Sequence, residues 1–518
     1  MATSASIHTP IGHCPPSYSI PCTKLSAPVI SGVDILGIAG TEVYNYTVPS
    51  SGNTVNFCNV TVTLTHPGDN DTVYTTVLLP LSNWNGRYLA TGGGGLAAGW
   101  GDMALGDPAS QGWAVSSTEG GLTFDHTVDP QTGEWAIAPD GSFNEHLVIN
   151  LAYRSIHDMV EVSKQLIDQF YGKKASYAYY SGCSGGGRQG YATLSKYPND
   201  FDGVLATAPA LYATDFVPAD FWPAIVMRNA EILPSCIFNA FQAETLKTCD
   251  PLDGVEDGLI SDHALLQSCP FDVNSLAGST IPCPETNSTI IITPQHAEIV
   301  QSILEGPITP DGTKLWYGVA KGAPFSGVAN TITLPDGTIF LLPFMSAEAW
   351  IKYLTFRDPT YDPSSMTHDE FFHAYNLSHT RMGPIYGNEA IHLRGFRDAG
   401  GKLLTWHGLA DELIPPQGML DFRAGVEEEF GGAEAVDAWY RLFLAPGVAH
   451  CGGGYGPNPI DPLDVLVEWV EEGNPPRTLS AAIVDSAGET VTRDLCRYPF
   501  KLVYQGGDVS RASSFTCA

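Results

Sequence analysis

The sequence predicts an α/β fold with a mostly parallel sheet that is interrupted by a large inserted segment. Three observations carry this prediction. Short apolar strands alternate with helical stretches from about residue 57 to residue 211, the rhythm of a parallel sheet covered by helices. That rhythm stops over 212–395, where Pro, Gly, Asn and Asp are frequent and four cysteines fall. It resumes over 396–518. The expected organisation is therefore a core in two parts, 1–211 and 396–518, with an inserted domain at 212–395.

The elements follow in chain order. FCNVTVTLT (57–65) alternates polar and apolar residues and reads as a strand; TVYTTVLLPL (72–81) reads as a second. RYLATGGGGLAAGWG (87–101) is a strand that runs into four glycines. The stretch 144–172 carries Leu151, Ile156, Met159, Val160, Leu166 and Phe170 at helical spacing. SYAYY (176–180) is a short aromatic strand, followed by the glycine-rich turn GCSGGG and a helix that ends near Pro198. FDGVLATAPA (201–210) is another strand. After the insertion, KLLTWHGLAD (402–411) and WYRLFLAPGVAHCGGG (439–454) are strands that run into loops. DPLDVLVEWVEEG (461–473) is a helix with Asp461 as N-cap, Pro462 in the first turn and Gly473 as stop.

Composition narrows the function. Of 518 residues, 43% are hydrophobic and 16% charged, enough for a substantial core. The formal net charge of −31 argues against nucleic acid, whose phosphates call for a basic surface, and against an anionic membrane surface. No stretch is long and apolar enough to span a membrane. The 11 cysteines include no C-x-x-C pair, so a zinc ribbon or a thioredoxin-like motif has no support. Their wide spacing fits disulfides in an oxidising compartment. Sequons at Asn45, Asn59, Asn70, Asn287 and Asn376 fit passage through the secretory route. The opening MATSASIHTPIGHCPPSYS lacks an apolar h-region. A misplaced gene start, a trimmed leader and a protein that is not secreted all stay open. Whether the chain forms a homodimer is open as well.

The chemistry gathers at a few places. Gly182-Cys183-Ser184-Gly185-Gly186 fits G-x-S-x-G. A serine on a sharp strand-to-helix turn has an exposed hydroxyl, and the Gly185 N–H at the helix start can donate to an oxyanion. Asp411 and His450 each follow a strand, in the order Ser, Asp, His found in α/β-hydrolases. His450 would be the general base and Asp411 the carboxylate that orients it. The second oxyanion donor is expected in TGGGGLAAG, at the Gly94 N–H, with Gly93 and Gly95 beside it. Cys183 directly precedes Ser184, and Cys451 directly follows His450. If nucleophile and base touch, these cysteines are close too, and a bridge is more economical than two reactive thiols.

This Cys-Ser, Asp, His-Cys arrangement resembles the tannase and feruloyl esterase family. THPGDND, NWNGRYLATGGGG, SGCSGGGRQGYATLSKYPNDFDGVLATAPA, HGLADELIPP and PGVAHCGGG look like that family's segments in family order. The resemblance implies an α/β-hydrolase core with a lid inserted after the nucleophile helix. It also implies hydrolysis of carboxylic esters, often of aromatic acids, with no organic cofactor. A hydrolase or acyltransferase tailoring a secondary metabolite with the same triad is the alternative, and a catalytically silent binding protein is a third reading. CDPLDGVEDGLISD (249–262) groups Asp250, Asp253 and Asp257. Alone this is most simply an acidic turn, although hard oxygens suit calcium. The resemblance implies a structural Ca2+ held by these carboxylates with the Val255 and Leu259 carbonyls. Spacing and the family pattern together suggest Cys22–Cys58, Cys249–Cys269, Cys236–Cys283 and Cys496–Cys517 beside Cys183–Cys451. They leave Cys14 over.

Overall fold

The computed structural model describes residues 18–123, 128–334, 336–387 and 392–518; Cys14 lies outside them. Its centre is a nine-stranded sheet. The strands are β1 (Asp34–Thr47), β2 (Thr54–Thr65), β3 (Val73–Pro80), β4 (Arg87–Thr91), β5 (Ala114–Thr118), β6 (Tyr177–Cys183), β7 (Gly203–Thr207), β8 (Lys402–Gly408) and β9 (Tyr440–Ala445). Their spatial order is β1-β2-β3-β5-β4-β6-β7-β8-β9. β1, β2, β3 and β5 pair antiparallel in sequence, and from β5 to β9 all pairings are parallel.

Local sequence explains the difference between the two halves. In β2, Cys58, Val60, Val62 and Leu64 are fully buried while Asn59, Thr61 and Thr63 are half-exposed, the period-two pattern of a sheet covered on one face. β7 (GVLAT) is buried at every position, as expected of a parallel strand with helices on both faces. One covering helix is α1 (Ser155–Tyr171), which buries Ile156, Met159, Val160, Leu166 and Phe170 and ends at Gly172, whose φ of 68° suits glycine. Asn150–Arg154, just before it, forms a π turn. There Asn150 Nδ2 donates to Asp71 Oδ2 at 2.9 Å and to Gly120 O at 3.1 Å.

The further helices used below are α2 (Gly185–Lys196), α3 (Pro416–Phe430) and α4 (Pro462–Glu472). The N-cap position of α4 is the expected one, without the side-chain bond of a capping residue. Asp461 stands at that position but in left-handed backbone, φ 45°, with no side-chain cap hydrogen bond. Pro462 does open the helix, where its missing N–H costs nothing.

Between β7 and β8 the chain leaves the sheet and returns beside β7, since β7 and β8 pair directly. The excursion contains two hairpins, Thr280–Cys283 with Ser288–Ile291 and Asn330–Thr333 with Ile339–Leu342, together with several helices. Its apolar side chains, including Phe216, Trp222, Phe241 and Trp350, form one cluster with Leu96, Leu409 and Ile414 from the loops at the strand ends. Three strands, Asn458–Pro459, Thr478–Val484 and Thr490–Cys496, form a separate sheet, and Leu502–Tyr504 pairs with Phe515–Cys517. The sequence reading assigned no strand after residue 473.

Among the described residues there are five disulfides: Cys22–Cys58, Cys183–Cys451, Cys236–Cys283, Cys249–Cys269 and Cys496–Cys517.

Candidate active site

β6 ends at Cys183 and α2 begins at Gly185, so Ser184 has to make the whole reversal alone. Its φ of 60° and ψ of −125° lie in a region that L residues rarely occupy. Three backbone bonds hold it there: Ser184 N–H donates to Thr207 O at 3.0 Å, and Ala210 N–H and Arg188 N–H donate to Ser184 O, each at 3.0 Å. Gly186 is required for a different reason. A Cβ on it would lie 2.4 Å from Gly93 O, so α2 and the glycine loop after β4 pack backbone to backbone.

That loop corrects one expected donor. The Gly94 N–H donates to Ala97 O at 3.2 Å, and the Ala97 N–H returns a bond to Gly94 O at 3.0 Å. A tight bridge within the loop consumes it. Gly95 approaches the nucleophile turn instead: a Cβ on Gly185 would lie 3.2 Å from Gly95 N. The Gly95 N–H has no acceptor among the described residues. Gly185, as expected, is the first residue of α2, where N–H groups have no partner inside the helix.

His450 sits in the loop after β9, and its Nδ1 faces both oxygens of Asp411, at 3.1 and 3.0 Å. Asp411 is buried in the loop after β8, and its Oδ1 also accepts from Leu413 N–H at 3.0 Å and Ile414 N–H at 2.9 Å. Burial alone would push the Asp411 carboxyl up. His450 and His407 outweigh it and hold the group well below the carboxylate range. Burial likewise pushes the His450 imidazole down, but Asp411, helped by Glu412, holds it above its ordinary value. Glu412 Oε2 also accepts the His450 N–H at 3.0 Å. Ser184, Gly185 and His450 line one pocket, whose other walls include Phe216, Phe344 and Trp350 from the inserted segment and Leu413. Beside them, Cys183 and Cys451 are bonded, with Cα atoms 5.9 Å apart.

A family model described as tannase and feruloyl esterase matches residues 58–518. The chain belongs to the tannase and feruloyl esterase family. It is 42% identical over 510 residues to a probable feruloyl esterase of Arthroderma benhamiae, covering 96% of this chain and 93% of that protein. It is 28% identical to feruloyl esterase B of Aspergillus niger, covering 93% and 90%. Among solved structures, tannin acyl hydrolase from Aspergillus niger superposes with a TM-score of 0.83 at 25% identity, over 94% of this chain and 92% of that one. Feruloyl esterase B from Aspergillus oryzae gives 0.76 at 26% identity, over 95% and 97%. The α/β-hydrolase core expected from the sequence is the fold of this tannase-family chain.

Two site residues have no role in the sequence reading. His407, four positions before Asp411, is fully buried, and its Nε2 lies 3.0 Å from Asp411 Oδ2. Glu412, next to Asp411, binds the His450 backbone. Both lie in HGLADE, and the spacing of a second histidine to the acid was the available signal.

The acidic loop stands apart from this pocket. Asp250 accepts from Asp257 N–H at 3.2 Å and Gly258 N–H at 2.9 Å, and Asp253 from Val255 N–H at 3.4 Å and Ser261 N–H at 2.7 Å. Asp257 accepts from Leu259 N–H at 3.1 Å and pairs with the buried Arg493 guanidinium at 2.5 Å. Burial, together with the charges of Asp257 and Asp250, pushes the Asp253 carboxyl up to about 7.

Proposed function

We propose that this chain is a serine carboxylic-ester hydrolase acting on esters of phenolic acids. The observation that carries the reading is the meeting of Ser184 and His450 at one pocket, with His450 Nδ1 backed by the buried Asp411 carboxylate. The names of the relatives, feruloyl esterase and tannin acyl hydrolase, point to the same substrates. With no competing observation, the tailoring acyltransferase is not favoured.

Ser184 Oγ attacks the ester carbonyl while His450 Nε2 takes its proton. The negative oxygen that develops accepts from the Gly185 and Gly95 N–H groups. Collapse expels the alcohol, which leaves with the proton from His450, and the acyl group stays on Ser184. Water, activated by His450, repeats the sequence and frees the acid. Asp411 keeps the imidazole oriented and stabilises its charged form. Phe216, Phe344 and Trp350 offer flat apolar walls to an aromatic acyl group.

The acidic loop belongs to the proposal as a structural calcium site. Asp250, Asp253 and Asp257, with the Val255 and Leu259 carbonyls, are hard oxygen donors. Burial and its acidic neighbours raise Asp253 to about 7, and a bound cation would relieve that. Arg493 already balances part of the charge. The ion would hold the loop and take no part in the reaction. Secretion and glycosylation complete the reading: Asn45, Asn70, Asn287 and Asn376 are exposed, whereas Asn59 lies inside the sheet between β1 and β3 with its Oδ1 buried.

An ester panel tests the function: methyl ferulate, methyl caffeate, methyl gallate, a short alkyl acetate and a terephthalate monoester. Release of a phenolic acid faster than acetate supports the reading. Turnover of the acetate alone, or of none of the panel, sinks it.

A further inference from the structure

The catalytic acid faces two histidines. His450 reaches Asp411 from the pocket side with Nδ1. His407 reaches it from inside β8, fully buried, with Nε2 3.0 Å from Asp411 Oδ2 and 3.0 Å from Ile414 O. A carboxylate and a peptide carbonyl only accept hydrogen bonds, so Nε2 has to carry a proton. His407 Nδ1 is buried with no partner. A proton there would be a buried donor with nothing to receive it, so the ring is the neutral Nε2–H tautomer.

We infer that His407 is a positioning residue for the hydrolysis proposed above, a fixed hydrogen-bond donor that sets the plane and the basicity of Asp411 and, through it, the basicity of His450. The two imidazoles share one carboxylate oxygen, since Asp411 Oδ2 is 3.0 Å from each. Density drawn towards His407 is unavailable to His450. His407 therefore moderates how strongly Asp411 stabilises the imidazolium. Without it, His450 should hold its proton to higher pH. The other ionisable groups facing the pair are Glu412, on the His450 backbone, and Asp220. Asp220 shares a small cavity with Asp411 and Glu412, and its Oδ2 has no partner.

The experiment compares wild type, His407→Leu, His407→Gln and Asp411→Asn by kcat, KM and the pH profile of kcat/KM on the best ester of the panel. The acid limb of that profile reports the base in the free enzyme. His407→Leu should lower kcat by about 10- to 100-fold, the scale of a small misplacement, with KM little changed and the acid limb moved to higher pH. His407→Gln, which keeps an amide donor, should recover part of both. Asp411→Asn separates the two readings: activity retained there overturns the triad itself. Loss there beside an unmoved rate and acid limb in folded His407→Leu overturns only the role of His407. If the leucine variant does not fold, wild-type 15N-histidine NMR at pH 7 decides. The signal absent from His407→Gln should be an Nε2–H tautomer, and an Nδ1–H signal there rejects the inference.

Discussion

A single residue, Ser184, combines a positive φ of 60° with the proposed role of nucleophile. Its left-handed backbone is tolerated because flanking bonds to Thr207, Ala210 and Arg188 hold it on all sides. Ser184→Ala should therefore leave folding intact and remove on the order of 10⁶ in kcat. Near-normal turnover of the purified variant, checked against revertants by mass spectrometry, would refute the nucleophile. That Ser184, Asp411 and His450 come near one another was legible because each follows a strand. Which N–H of the glycine loop is left unpaired was not. Gly94 and Gly95 are identical in sequence, and only the tight bridge between Gly94 and Ala97 decides which N–H is free. His407 stands four positions before Asp411 in HGLADE, but that spacing does not by itself show that a histidine inside an apolar strand turns its ring to the acid.

Elements differ in how openly the chain declares them. β6, α2 and β7 were readable from a strand, a glycine turn and a helical period in succession. β5 (AVSST) was not: its small and polar residues are all buried, so neither alternation nor an apolar run marks it. β1 was masked by two register shifts, at Ile35/Gly37 and Val43/Tyr46, which break its alternation. One polar joint links such elements. His66, just after β2, lies between Asp71 (Nδ1 to Oδ2, 2.6 Å) and Asp158 of α1 (Nε2 to Oδ2, 3.0 Å). Burial pushes His66 down, but its bonds to Asp158 and Asp71 carry it up to about 9. A histidine raised in the folded state stabilises fully below its unfolded value of ~6.5 and loses that contribution as pH rises through the folded one. The melting temperature should fall across pH ~6.5 to about 9, and His66→Gln should start lower and flatten that decline. Identical slopes in the two proteins would count against the joint.

At the scale of the whole molecule, the inserted segment is bound to the core by more than its apolar underside. The acidic loop reaches the C-terminal strands through Asp257–Arg493 at 2.5 Å and Asp262–Lys501 at 2.5 Å, across more than 230 positions of sequence. Stability of that seam should depend on the proposed ion. Chelation should lower the melting temperature by a few degrees, in line with ~2.7 kcal/mol for a ligand at 100 times its Kd, while the initial rate of the surviving enzyme changes less. Asp253→Ala should show the same loss and no longer respond to chelator. No calcium in purified protein by elemental analysis, with a melting temperature indifferent to added calcium, would remove the ion from the account. The excursion between β7 and β8 coincides with a change of rhythm in the sequence. Its docking was not legible, because Arg493 and Asp257 carry no mark of each other in the sequence.

The Cys183–Cys451 bond also has a consequence for damage by proteases. It spans 268 residues, and the whole excursion between β7 and β8 lies inside that span. Cys22–Cys58, Cys236–Cys283 and Cys249–Cys269 close before Pro284, and Cys496–Cys517 closes after Cys451. A single cut anywhere between Pro284 and Ala449 thus yields two pieces joined by this one bond among the described residues. The clipped enzyme should run as one band on a non-reducing gel and as two after reduction, with nucleophile and base on separate polypeptides that still travel together.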